Sequence, residues 1–240
     1  PPWNPTVPLN VAHPVSPLTT SKLRMALNDP VQCREVLGRA AQLTPLEPFE
    51  VSENCHVRNR VALSAIGSAR IDRIETSCAT ALRIAMWEQH GVQPAARDIL
   101  GKTIRFRQIG SYNCRPIHTT SGNGQRWSTH FTADAIDITG FDFTDGRRIR
   151  LINDWDDGTE EGVFLRAVRE SACKWFATTL SPDYNSLHAI IFICKRVGGV
   201  PVGNVTGNFA FGFPFAQGAS AINLCTSAKM NGQKQGGRIP

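Results

Sequence analysis

The segment "WSTHFTADAIDITGF", residues 127–141, places His130 and Asp137 seven residues apart, where a loop runs into a strand. Those two residue types are two of the three protein ligands that a mononuclear hydrolytic zinc requires, its fourth position being kept for water. Read alone, neither residue demands a metal. A histidine just before a strand is commonly a surface or hydrogen-bonded group, and an aspartate there commonly serves a turn or a salt bridge. The pair therefore poses one question of the rest of the chain, which is where a third ligand would come from.

The elements around the pair follow from patterning. "KTIRFRQIG" alternates apolar and polar residues and reads as a strand. "ADAIDITGF" and "RRIRLIND" read as two more, joined through the turn "DFTDG". "YNCRPIHTTSGNGQRWSTH" is a long polar loop. Two short helices broken by Pro30 are expected in "SPLTTSKLRMALNDP" and "PVQCREVLGRAA". A clearer helix spans residues 76–91, capped by Thr76 or Ser77 and ended by Gly91, with another helical turn or two in "VQPAARDILG". The strongest helix is read over residues 159–180, with Leu165, Val168, Ala172 and Trp175 as its apolar stripe and Glu160 and Glu161 favoured by the dipole at its start. "SLHAIIFICK" reads as a closing, buried strand. Helices first, then a few antiparallel strands with one long helix between them, imply an α+β fold.

Composition bounds the function. At 240 residues, 41% hydrophobic and 19% charged, the chain is long enough for one good core. It contains no run of 18 apolar residues, so no transmembrane segment is expected, and no signal peptide is visible. Residues 1–16 are expected to form a Pro-rich linker; residues 1–17 hold six of the fifteen prolines. The seven cysteines are dispersed without a CxxC pair, which argues against a zinc finger and for disulfides in an oxidising compartment, with inert buried thiols as the alternative. Their connectivity is not legible, and an odd total leaves at least one unpaired within the chain. Of the net charge of +6, the acid-free stretch 194–240 carries +5 through Lys195, Arg196, Lys229, Lys234 and Arg238. No basic stripe interleaved with aromatics is evident before it, so no nucleic-acid partner is expected.

Taken together, "CREVLGRA", "SCATALRIAMWEQHGVQPAARDILG", "IGSYNCRPIHTTSGN", "STHFTADAIDITGFDFTDGRRI" and "FLRAVRESACKWFATTLSPDYNSLHA" resemble the bacterial extensin-like C-terminal domain family, over about residues 17–189. That family is similar to the zinc peptidases grouped with lysostaphin, D-alanyl-D-alanine carboxypeptidases and Hedgehog domains, whose peptidases cleave peptide bonds in peptidoglycan. The resemblance implies a small antiparallel sheet with flanking helices, as in that peptidase group, forming a domain of residues 17–193 in the bacterial cell envelope, periplasmic or secreted, with zinc as cofactor and a peptidoglycan peptide or other cell-wall polymer as partner. It implies that His130 and Asp137 are zinc ligands and that Ser128, the serine accompanying the histidine, binds substrate together with Arg115. Arg115 stands where related peptidases keep an arginine near substrate, able to polarise a carbonyl or hold a terminal carboxylate. Asp134 reads as a supporting or surface acid rather than a ligand.

One departure matters most. After "DYN..H" the family continues, one residue later, with "DHFHL", whose second histidine is the third ligand and whose aspartate is placed as general base. Here the chain reads "HAIIFICK", with Ile190 at the acid, Ile191 at the first histidine and Ile193 at the ligand position. Isoleucine neither binds zinc nor moves a proton, so the site is incomplete and zinc binding is expected to be weak or absent. The codons ATC ATT TTC ATC TGC encode Ile-Ile-Phe-Ile-Cys; one G restored in front regroups them as GAT CAT TTT CAT CTG, Asp-His-Phe-His-Leu. A single-base slip would also account for the Gly-rich, acid-free, aperiodic residues 194–240, which are then out of frame and outside the native fold. The competing expectation is a pseudoenzyme, a non-catalytic module binding cell-wall peptide or glycan.

Overall fold

A computed structural model describes residues 2–101, 103–115, 128–155, 158–183 and 192–195, with residues 103, 104 and 192–195 as backbone only. Helices α1 (Thr19–Asn28) and α2 (Pro30–Gly38) open the folded part. Pro30 separates them by starting α2 rather than merely breaking α1, and the Asp29 carboxylate caps α2 by accepting from the N–H groups of Val31 and Gln32. Five strands follow: β1 (Ala41–Pro45), β2 (Phe49–Glu50), β3 (His56–Val57), β4 (Arg60–Ile66) and β5 (Ala69–Ser77). They fill a stretch in which no element is read from the sequence above.

Helix α3 (Cys78–Trp87) begins at the Ser77 hydroxyl, which accepts from the Thr80 N–H. It is not ended by Gly91. The chain continues through a π-helical turn, Glu88–Val92, into α4 (Gln93–Ile99). Gly91 is there for clearance, because a Cβ at that position would lie 2.6 Å from the Ser171 Oγ and 2.9 Å from the Trp87 ring. Strand β6 (Thr103–Gly110) then runs parallel to β5, the connection through α3 and α4 supplying the crossover that a parallel pair needs.

A 3-10 turn, Thr129–Thr132, leads into β7 (Ala135–Phe143), followed by β8 (Arg148–Arg150). The strand expected to include "LIND" stops at Arg150, where the chain enters the short helix α5 (Leu151–Asp154) and the Asp154 carboxylate accepts from the Arg150 N–H. Helix α6 (Glu160–Ala172) is capped by Thr159 and ends eight residues short of the expected limit, because Thr178–Leu180 form strand β9. Trp175 is buried beyond the helix end rather than on its stripe. Strand β10 (Phe192–Lys195) inserts between β7 and β9.

The fold is α+β with a mainly antiparallel sheet and flanking helices. The main sheet runs β1-β4-β5-β6-β7-β10-β9, with β8 also paired to β7 and β2-β3 forming a separate hairpin. The sheet is larger than the small one expected. Val61, Leu63, Ile71, Ile74, Phe106 and Ile138 line its inner face and pack with Leu23, Leu37, Leu82, Trp87, Phe164 and Leu165 from the helices. Trp87 sits at the centre, edge-on to Phe106, Phe141 and Phe176, with its indole N–H donating to the Val168 carbonyl at 3.1 Å. The proline-rich start runs through turns, with the Val7 N–H donating to the Asn4 carbonyl and the His13 N–H to the Asn10 carbonyl, and it is not detached: Leu9 and Val11 are buried in the same core. Among the described residues no helix is long and apolar enough to cross a membrane.

Disulfides join Cys33 to Cys78 and Cys55 to Cys114, and Cys173 is disulfide-bonded as well. The first ties α2 to the start of α3. The second ties the β2-β3 hairpin to the strand of chain that leaves β6 toward the site.

Candidate functional site

His130 lies in the 3-10 turn just before β7, and its side chain is 5% exposed. Ser128 caps that turn, its hydroxyl accepting from the His130 N–H at 3.4 Å. The turn ends at Ala133, a non-glycine residue in the left-handed region with φ 53°, fully buried. Such a backbone costs free energy and persists only where the surroundings hold it. Here the Ala133 carbonyl accepts from the Thr80 hydroxyl at 2.8 Å, with those of Thr76 and Ser111 at 3.3 and 3.4 Å. Residues from α3, β5 and the end of β6 thus fix the turn that carries the histidine.

The imidazole is clamped from one side. Nδ1 is 2.8 Å from the Ser111 carbonyl oxygen, which can only accept, so Nδ1 carries a hydrogen. The Asn113 N–H donates to the His130 carbonyl at 2.9 Å, binding the same two segments through their backbones. Nε2 then faces Asp137, its distance to Oδ1 being 3.1 Å. Neither Nε2 nor Oδ1 has a hydrogen-bond partner of acceptable geometry among the described residues, although both are buried. In the neutral imidazole, a bare nitrogen lone pair is held against a carboxylate oxygen. Two acceptors at contact distance in a buried site call for a positive atom between or beside them. A histidine with Nδ1–H on a backbone carbonyl and Nε2 free is also the arrangement in which metal-ligating histidines are held.

Asp137 is positioned by the sheet. It lies opposite Gly110 of β6 and, on the other side, directly opposite Ile193 of β10. Position 193 is the one the sequence resemblance assigns to the third ligand. Strand register therefore brings it alongside Asp137, while Ile190 and Ile191 lie outside the described residues. Among the described residues no group of three or more His, Cys, Asp or Glu could hold a metal ion. The donors present are two, an imidazole nitrogen and a carboxylate oxygen, types that zinc accepts, and isoleucine stands at position 193 opposite Asp137.

The other predicted residues fall nearby in different roles. Ser128 is seen here positioning the histidine. Arg115 is exposed, next in sequence to the disulfide-bonded Cys114, and its carbonyl accepts from the Ser128 N–H at 3.3 Å. It is thus tied by backbone to the start of the turn. The Asp134 carboxylate accepts from the Thr132 hydroxyl at 2.8 Å and is 3.5 Å from the Ser77 hydroxyl. It supports the turn, in line with its reading as an auxiliary acid. Ser111 and Thr80 were not singled out by sequence, and Thr76 only as a possible helix cap. Ser111 does stand inside "IGSYNC", between the end of a strand and a cysteine, which is the one local signal that could have found it.

The fold and the paired donors define a disulfide-bonded α+β domain with a His–Asp site at the end of a central strand. The chain matches the family described as "Extensin-like protein C-terminus" over residues 31–192, and it belongs to that family. No curated protein and no solved structure matches it.

Proposed function

We propose that this extensin-like domain carries a zinc site of the peptidoglycan-peptidase type, with His130 and Asp137 as two of its protein ligands and the third position, 193, occupied by isoleucine. The observation that carries this reading is the buried, unbonded contact between His130 Nε2 and Asp137 Oδ1, with position 193 in register beside it. The metal would supply Lewis-acid activation of a peptide carbonyl and of water. The chain's own residues hold the imidazole in the ligating tautomer through Ser111, set the turn through Ser128, Thr76 and Thr80, and present Arg115 for a carboxylate or carbonyl of the bound peptide. As written, the chain binds zinc weakly or not at all and does not hydrolyse peptide.

We infer further that residues from about 190 onward are an out-of-frame translation of an ancestral Asp-His-Phe-His-Leu. The end of the family match at residue 192 agrees with this. The DNA around codon 190 decides it: a single-base indel that restores the motif is expected, and its absence would remove the idea. Disulfides in the fold suit a periplasmic or secreted location. The restored chain, Ile190→Asp, Ile191→His, Ile193→His, is expected to cleave purified peptidoglycan fragments in a zinc-dependent way. Restored protein that neither binds metal nor cleaves them would refute the peptidase reading.

A second reading is a non-catalytic module that holds a cell-wall peptide or glycan. The exposed Arg115 favours it, since that role needs no metal. Pull-down with peptidoglycan that is lost in Arg115→Ala, without turnover in the restored chain, would select the module.

A further inference from the structure

The outer face of the sheet gathers charge that the sequence disperses. Residues 1–193 together carry only one net positive charge once the basic stretch 194–240 is set aside. Yet β4, β5, β6 and β8 send seven arginines to the face opposite the helices: Arg60, Arg70, Arg73, Arg105, Arg107, Arg148 and Arg150. Among the described residues three carboxylates lie between them, Asp72, Glu75 and Asp142, with Asp137 on the same face farther along β7. The placement follows from the buried partners of each strand, since Ile71, Ile74, Phe106, Phe141 and Ile149 all point into the core between these residues. An extra residue at Thr139 shifts the alternation of β7, so that Asp137 and Asp142 lie on the same face although their numbers differ in parity. The arginine field and the His130–Asp137 site therefore share one side of the sheet, about 17 Å apart along β7.

Arg105, Arg107 and Arg150 are fixed, not trailing. Arg105 bonds Asp72 at 2.7 Å, Arg107 reaches both Asp72 and Asp142, and Arg150 bonds Asp142 at 2.8 Å. These carboxylates hold the guanidinium planes in place and leave a surplus of four positive charges. Arg70 stands directly across from Arg105 in the parallel pair, a like-charge pairing that weakens a sheet. Arg70 and Arg148 are exposed. A cost taken on an exposed face, with no packing reason for it, points to a use for the charge.

We propose that this face binds a carboxylate-bearing polysaccharide. Guanidinium forks match a carboxylate with two parallel hydrogen bonds, and Arg107 already holds Asp142 through both Nε and Nη2. Their spacing is set by adjacent strands, about 4.8 Å apart, which suits a polymer carrying charge at each successive unit. The Phe49 ring beside the field is covered by the Arg60 guanidinium at 5.4 Å and meets Tyr112 edge-on at 5.2 Å, so it is not bare for a base to stack on, which argues against nucleic acid. The reading is independent of the metal, so it stands or falls apart from the peptidase proposal.

The test is isothermal titration of the full chain with alginate, a polyuronate, in low and in moderate salt, with neutral dextran, double-stranded DNA and polyglutamate alongside. Alginate is expected to bind in a salt-sensitive manner and dextran not to bind. The double charge reversal Arg70→Glu, Arg148→Glu is expected to weaken alginate binding at least about tenfold while leaving the melting temperature near that of the parent. Those two residues lie outside the ion pairs that fix the others, and the basic residues 194–240 are unchanged in the variant. No binding of alginate by the parent, binding unaffected by the double reversal, or DNA or polyglutamate bound as tightly as alginate would each overturn the proposal.

Discussion

Asp142 shows how a single side chain can hold a surface together. Burial opposes its ionisation, but hydrogen bonds from Arg107 and Arg150 outweigh that and hold the carboxyl below its ordinary value. A group whose value is depressed in the fold contributes stability above its unfolded value and loses it as pH falls through the folded one. Asp142→Asn is therefore expected to cost about 1–3 kcal/mol at neutral pH, at the lower end because both arginines remain partly in water. Its effect should shrink below about pH 4, as urea melts across pH would reveal. His90 works in the same direction at higher pH. Burial lowers its value, against the effect of its hydrogen bond to the Val11 carbonyl. The unfolded chain takes up that proton first, so stability declines as pH drops below 6.5, the ordinary histidine value. His90→Gln should flatten that part of the profile.

At the scale of elements, the two halves of the chain differ in what could be read from them. β6, β7 and the cap of α3 follow from alternation and from Ser77, whereas the caps of α2 and α6 at Asp29 and Thr159 emerge only in the structure. β4 and β5 also alternate, but the period is broken where Asp72 and Arg73 both turn outward, so no simple count of every second residue finds the strand. Gly91 misled because glycine after a helical stretch usually marks an end. Here α6 packs so close that only glycine fits. Gly91→Ala is expected to destabilise by about 1–3 kcal/mol through overpacking against Ser171 and Trp87, and Gly91→Ala with Ser171→Ala to recover part of that loss in thermal melts. The candidate site was legible in its two ligands, His130 and Asp137. Ser111 was not, because its carbonyl holds the imidazole and its hydroxyl holds backbone carbonyls of the turn and the start of β7, and such backbone contacts leave little trace in residue type.

At the scale of the molecule, disulfides and strand pairing deliver distant segments to one place. Cys55–Cys114 spans 59 residues and fixes the stretch carrying Ser111, Asn113 and Arg115 against the β2-β3 hairpin. Removing it by Cys55→Ser with Cys114→Ser is expected to cost about 2–4 kcal/mol in denaturant melts. The same change should loosen the clamp on the His130 ring, so that its ring signals in NMR broaden or shift. The charge distribution teaches a related lesson: a net value close to zero for residues 1–193 conceals an arginine-rich face that only the sheet assembles.

The central claim is that the strand facing Asp137 is where a third zinc ligand belongs. Competitive zinc titration of the chain as written, of the chain with Ile190→Asp, Ile191→His and Ile193→His, and of that restored chain with His130→Ala tests it most directly. The account predicts weak or no binding in the first, one tightly bound zinc in the second, and its loss in the third. Equal affinity in the first two, or binding in the restored chain that survives removal of His130, would contradict it.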